Sequence, residues 1–305
     1  MKNRRTTAYI QVALGSIAAG LWSLFLRPAG IDPYWSSAIV LASVGLFAAP
    51  FLLKADADAA REAAEERKPS DWWFIVLLGI FAAGNALLYF TALKTTTVAA
   101  AVLAHCLAPV IVTVAAPTVL GTPRRWRTIG LAIAAAAGLA IMLEPWKGGA
   151  GETSVRATLT GAAWGVGAAV FISGFLLVNK LVGTRFTAEE RLVYHALIAA
   201  PLLFAAAFVF HAPLPALSGA AIVALGGATV GALGGLLFLR GLNDVPAENA
   251  GVFTLIEPLT GLLVAWLVWG ERFGMISLLG AAVVVTAGVL VMREPDTTEK
   301  NSDKN

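Results

Sequence analysis

The sequence predicts an all-α integral membrane protein of ten transmembrane helices, arranged as two five-helix inverted repeats with both termini cytoplasmic. Three observations carry this. Of 305 residues, 58% are apolar and 13% charged, about half the ~25% charge of a soluble domain; with a mean hydropathy of +0.77, lipid must cover most of the surface. Uncharged runs recur at about the ~20 residues a helix needs to cross ~30 Å of hydrocarbon. Finally, the chain repeats itself. A shift of 149 residues lays Leu236 on Leu87, Phe238 on Tyr89, Leu242 on Leu93, Pro258 on Pro109 and Gly270 on Gly121. One inserted residue raises the shift to 150, which pairs Gly280 with Gly130, Gly288 with Gly138, Met292 with Met142 and Glu294-Pro295 with Glu144-Pro145. Glycines and prolines in register mark an internal duplication.

In chain order, Lys2, Arg4 and Arg5 precede an uncharged run, 6–26. The run is long for a signal-peptide core and further spans follow it, so it reads as an uncleaved first helix. The second run is 33–53, followed by the charged, solvated stretch 54–71. The third is 72–93; after the 94–97 corner the fourth continues to just before Arg124, and the fifth is 128–143. A Gly-rich link, 144–156, leads to the sixth run, 157–179. The seventh begins near Leu192, and from there to Leu239 no Asp, Glu, Lys or Arg occurs, so Pro213 and Pro215 mark a turn between two spans. The ninth and tenth are 247–269 and 273–292. These continuous runs do not have the short alternating segments of a membrane barrel.

With both termini inside, 17 of the 22 lysines and arginines fall on the cytoplasmic side, leaving Arg27, Lys94, Lys147, Arg156 and Arg272 outside. That asymmetry sets the orientation. Five spans per half is an odd number, so the second half (149–293) enters the membrane inverted relative to the first (1–148), ahead of a polar cytoplasmic tail, 294–305. Inverted repeats characterise secondary transporters, whose substrate site lies near the midplane where the repeats meet.

Other classes are disfavoured. The single Cys106 excludes an internal disulfide, and no Cys/His spacing suggests a metal. The pI near 9.1 reflects basic residues in short loops, a topological pattern and not a nucleic-acid face. No phosphate-binding loop, serine elbow or His-Glu-x-x-His motif is present. The expectation is therefore a non-enzyme with no cofactor and no obligatory protein partner, working in the lipid bilayer on a small-molecule substrate.

The stretch from Leu255-Ile-Glu-Pro-Leu through Gly270-Glu271-Arg272 to Gly280 and Gly288 resembles the end of an EamA-type repeat of the drug/metabolite transporter superfamily. The first half carries a weaker copy, with Thr122 where the second has Glu271, and each half has a tryptophan early in its first helix, Trp22 in LWSLF and Trp164 in AAWGVG. The resemblance covers nearly the whole chain, and within the superfamily it looks most like bacterial exporters of aromatic and other neutral amino acids. It implies a bacterial inner-membrane carrier that exports small neutral amphiphiles by alternating access, with amino acids (aromatic ones, Met and Thr among them) as the expected cargo. Drug or nucleoside export on the same scaffold is the alternative. A membrane-embedded enzyme using His105 and Glu257 is a remote one, since that pair offers no third positioned group.

The candidate site residues are few. Glu257 is the only acid deep within an apolar run, where an ionised carboxylate costs ~2.5–3.5 kcal/mol on insertion scales. It either meets a substrate amine or a coupling proton, or it is a structural carboxylate bonded to backbone beside Pro258. Pro109 and Pro258 occupy equivalent mid-helix positions, each removing a backbone donor and freeing a carbonyl; they read as hinges or as static kinks. His105 lies one turn before Pro109, and its repeat mate is Thr254. It either lines the pathway or donates to a carbonyl that the proline opens. Asn85 and Tyr89, four residues apart, share a helix face. With Trp22, Trp164 and Phe238 they would wall an aromatic, weakly polar cavity; packing is the competing reading. Trp72, Trp73, Trp126 and Trp146 fall at interfaces as anchors. The glycine stripes at 227, 231 and 235 and at 161 and 165 let helices approach closely.

Overall fold

The structure is a computed structural model that describes residues 2–53, 57–96, 98–143, 155–270 and 274–292. The Glu271-Arg272 corner, the link with Trp146 and Lys147, and the tail lie outside the described residues. Among the described residues the regular structure is entirely helical. Seven helical stretches are long and apolar enough to cross a membrane, and the shorter apolar helices Ala108–Leu120, Trp126–Ile141 and Leu278–Leu290 accompany them.

The first stretch is α1 (Lys2–Gly20) followed by α2 (Ser23–Ala29). Between them the Leu21 and Trp22 amides donate to the carbonyls of Ala18 and Ala19 at 2.9 and 3.3 Å, a tightened turn where the sequence predicts one unbroken helix. Gly30, at φ +61°, stops α2. An Asp32 side chain that accepts from the Tyr34 amide at 2.9 Å then starts α3 (Pro33–Leu52), with Pro33 in the first turn where its missing N–H costs nothing. The charged stretch contains a surface helix, α4 (Ala57–Glu66). Asp71 accepts from the Lys68 amide at 2.8 Å, just ahead of α5 (Trp72–Thr95).

The fourth run is divided into α6 (Val98–His105) and α7 (Ala108–Leu120), and α8 (Trp126–Leu143) follows. The break falls where Pro109 cannot donate to the carbonyl of His105. After α9 (Val155–Leu181) comes α10 (Ala188–Val209), which starts four residues before the expected Leu192. A reciprocal cap sets that start: the Glu190 amide donates to Thr187 Oγ1 at 3.2 Å and the Thr187 amide to Glu190 Oε2 at 2.9 Å. Its first turn carries Glu189, Glu190 and Arg191, absorbed into the helix because each finds a tertiary partner. The charge-free stretch continues through α11 (Leu217–Gly226), a π-helical segment (Gly227–Gly234) and α12 (Gly235–Asp244). Then α13 (Ala247–Phe253) and α14 (Ile256–Trp269) repeat the divided pattern at Pro258, and α15 (Met275–Met292) closes the described chain. Gly121 and Gly270, partners in the sequence repeat, both take positive φ (+67° and +69°), Gly121 capping α7 and Gly270 just after α14.

Helices from the two halves of the chain interdigitate: α5 runs beside α9, α3 beside α10, α8 beside α15 and α1 beside α12. The largest buried cluster joins Tyr9 and Val12 of α1, Val112 and Ala116 of α7, Leu176 of α9, Leu192 of α10, Leu239 of α12 and Phe253 of α13. It lies under the end of the bundle that carries Arg4, Arg67, Glu190 and Asp244, here the basal end. Toward the opposite, apical end, Leu159, Trp266, Leu267 and Met275 are exposed, as lipid-facing side chains are. The glycine stripes serve close packing: Gly161 and Gly165 of α9 meet Thr96 and Ala104, and Gly227 meets Ser43 of α3. Arg240 of α12 donates to Glu189 Oε1 at 2.6 and 2.8 Å.

Candidate functional site

The two proline-associated breaks carry the polar cluster. His105 ends α6, and its Nε2 lies 2.8 Å from Asn85 Oδ1 on α5. An amide oxygen only accepts, so Nε2 carries the proton. Tyr89, one turn along α5, stacks on the imidazole with ring centroids 4.5 Å apart and planes 34° apart. Glu257 lies in the first turn of α14, two residues beyond Leu255, which packs with Cys106 in one buried apolar cluster. Behind the break, Ser173 of α9 donates to the carbonyls of Ala169 and Ala108 at 2.6 and 3.2 Å. Gly165 lets α9 approach the Ala101 carbonyl.

A second pair of irregularities meets beside this cluster. Gly20, the last residue of α1, is pressed against Thr260 and the Glu257 carbonyl so closely that a Cβ there would overlap α14. Trp22, in the break that follows, lays its ring over Gly226 and Gly231, where a Cβ would sit 3.1–3.3 Å from the indole. Gly226 precedes the π-helical segment and Gly231 lies within it. A π-segment leaves backbone groups locally unmatched and is a frequent feature of functional regions.

The structure thus brings together Asn85, Tyr89 and His105, with Glu257 near, and places Trp22 one helix away against the π-segment. It does not bring the remaining aromatics to them. Phe238 packs over Gly15 of α1. Trp164 is 40% exposed and lines an open groove of about 470 Å³ with Leu88, Leu159, Thr160, Ala163 and Gly167. Among the described residues no ring contact joins Trp22, Trp164 and Phe238, which are separated because each packs on a different helix. Pro109 and Pro258, mid-helix in the sequence reading, sit instead in the first turns of α7 and α14, because each run divides just before its proline. Sequence reasoning missed Cys106, whose signal was its place between His105 and the proline. It also missed Ser173, for which no signal existed.

A bundle of membrane-length helices, interrupted where polar side chains meet, is that of a multi-pass membrane protein. The EamA-like transporter family profile matches residues 6–144 and again 159–293, and the chain belongs to that family. It is similar to the permease-like protein YdzE of Bacillus subtilis (strain 168), with 30% identity over 66 residues, 22% of this chain and 85% of that protein. A crystal structure 18% identical in sequence superposes with a TM-score of 0.78 over 93% of this chain and 96% of the other; at that identity the likeness concerns the fold.

Proposed function

We propose that the protein is a secondary transporter that exports small neutral amphiphilic metabolites, amino acids including aromatic ones first among them, across the bacterial inner membrane by alternating access. The observation that carries this is the cluster at the α6/α7 and α13/α14 breaks. An imidazole bonded to an amide and stacked on a phenol, with a carboxyl nearby, offers an aromatic wall, neutral donors and acceptors, and one acidic group. A zwitterion with an apolar side chain matches that lining: its ammonium faces Glu257, its carboxylate the neutral donors, its side chain the aromatic wall. Among the described residues, the one fully buried arginine, Arg191, lies at the basal end, away from this cluster.

Two inverted five-helix halves account for the mechanism. Support comes from the double family match, the breaks at 106–107 and 254–255 and the matched left-handed glycines Gly121 and Gly270. The basal end is cytoplasmic on the basic-residue count. Pro109 and Pro258 are the hinges, and no cofactor or protein partner is required. Expression in a bacterium stripped of its own amino-acid exporters tests the reading. Cells carrying the protein should resist toxic phenylalanine analogues and release labelled Phe faster than cells carrying Glu257→Gln. Release no faster than from empty-vector cells, at confirmed membrane expression, refutes it.

A further inference from the structure

The basal end carries a polar network that the carrier reading does not use, and it centres on Arg191. This side chain is fully buried, and each arm of its guanidinium has an acceptor. Nη1 donates to the Asn179 carbonyl at 2.9 Å and to Asn179 Oδ1 at 3.2 Å. Nη2 donates to Asn243 Oδ1 at 2.5 Å and reaches the Leu239 carbonyl at 3.4 Å. Nε reaches the Thr187 carbonyl at 3.3 Å. One residue of α10 thereby ties the last turns of α9 and α12 together. Lys180 of α9 adds bonds to the carbonyls of Leu242 and Asn243 at 2.9 and 2.7 Å, and Arg240 of α12 bonds Glu189 of α10 at 2.6 Å. Further links cross between the sequence halves. Asn249 Nδ2 donates to the Tyr9 hydroxyl at 2.7 Å, Thr122 Oγ1 to Glu248 Oε1 at 2.9 Å, and Arg67 Nη2 to Glu190 Oε2 at 2.7 Å. The Arg4–Asp244 pair, 80% and 36% exposed, adds little by comparison.

Among the described residues, the corresponding apical positions form no such network. Under the 149-residue offset, Arg240, Asp244, Glu248 and Asn249 correspond to Thr91, Thr95, Ala99 and Ala100. Thr91 and Thr95 spend their hydroxyls within α5, on the carbonyls of Leu87 and Thr91 at 2.7 and 3.0 Å. Lys94, opposite Asn243, is the charged exception. An inverted-repeat carrier needs one closure at each end. Among the described residues, the basal closure is held by buried, directional polar bonds, whereas the apical hydroxyls at the repeat-related positions bond within their own helix.

We propose that the Arg191-centred network is a latch that closes the basal mouth of the transport path and makes the basally closed state the resting conformation of the empty carrier. The proposal rests on the alternating-access reading above. Opening the basal mouth by parting α9, α10 and α12 would exchange these charge-assisted bonds for bonds to water, losing the net stabilisation that they supply. Cargo binding at the breaks has to supply what that separation requires.

Cys106, the only cysteine in the sequence, is buried at the α6/α7 break, so it is labelled only when the path opens to it and serves as the reporter. In right-side-out and inside-out membrane vesicles, its labelling by a membrane-impermeant sulfonated maleimide is timed for the unaltered protein and for Arg191→Gln, Asn243→Ala and Glu189→Gln. The unaltered protein is expected to label from the apical side only. Releasing the latch should raise basal-side labelling about tenfold or more, the response to roughly 1.4 kcal/mol of lost bias between the two states. Arg191→Lys, which keeps the charge without the fork, should fall between. Asn243→Ala and Glu189→Gln carry the test if Arg191→Gln does not fold. Apical labelling of the unaltered protein with unchanged basal labelling in folded latch variants overturns the latch and leaves the carrier reading standing. Labelling from neither side in any variant overturns both.

Discussion

If His105 and Asn85 act as a unit, removing either should do most of what removing both does. Their bond is 2.8 Å long and joins α5 to the end of α6, so Asn85→Ala leaves an imidazole N–H facing an emptied, partly buried space. Stranding such a group costs ~1–3 kcal/mol, whereas a hydrogen bond between membrane helices couples its partners by ~0.6 kcal/mol on average and up to ~1.7. In a cycle of Asn85→Ala, His105→Ala and the double variant, each single change should lower stability by about 1–3 kcal/mol, and the double by ~0.6–1.7 less than their sum. Equilibrium unfolding in mixed dodecylmaltoside–SDS micelles supplies these energies. Counterflow of labelled Phe in liposomes, run on the same preparations, should show one residual rate shared by all three variants. Stabilities that add to within ~0.3–0.5 kcal/mol, the usual scatter of independent sites, together with transport losses that multiply, refute the coupling and the pathway role built on it.

Three other outcomes follow from the packing. Tyr9→Phe removes the only side-chain hydrogen bond that Asn249 makes among the described residues, and should lower stability by about 1–3 kcal/mol in the same unfolding assay. Gly231→Val drives a side chain into Val44 and the Trp22 ring and should cost ~1–3 kcal/mol by overpacking. Gly288→Val meets nothing within 4 Å and should stay within about 0.5 kcal/mol of the unaltered protein; equal effects would contradict the close contact of the π-segment with α3 and Trp22. Trp164→Ala, in the groove beside Leu88, should reduce Phe counterflow more than Trp126→Ala, which is 70% exposed at a helix end, when reconstituted at equal density.

Much of this fold is legible in the sequence because charge is so scarce. The absence of charge from Leu192 to Leu239, split only by Pro213 and Pro215, locates two long stretches. The breaks at Pro109 and Pro258 follow from a missing amide hydrogen, which is a local property. The break at Trp22 and the π-segment are not local: no proline marks either, and both arise where Gly20 meets α14 and Gly231 meets Trp22. The early start of α10 is hidden for a related reason, since hydropathy counts Glu189, Glu190 and Arg191 as loop while tertiary partners make them helix. Asn85 and Tyr89 share a face by spacing alone, but the bond from Asn85 to His105 crosses a corner whose geometry only the packed bundle defines. Trp22, Trp164 and Phe238 show the limit of repeat logic, because similar places in sequence put them against different neighbours.

The central claim, carriage of neutral amphiphiles through the cluster at the two breaks, is tested most directly by purified protein in liposomes. Uptake of labelled Trp, Phe, Met, Thr and Leu would be followed with and without an imposed pH gradient, alongside Glu257→Gln. Saturable uptake of at least the aromatic amino acids is expected, accelerated by unlabelled substrate on the far side and sharply reduced in the variant. Folded protein that moves none of them would contradict it.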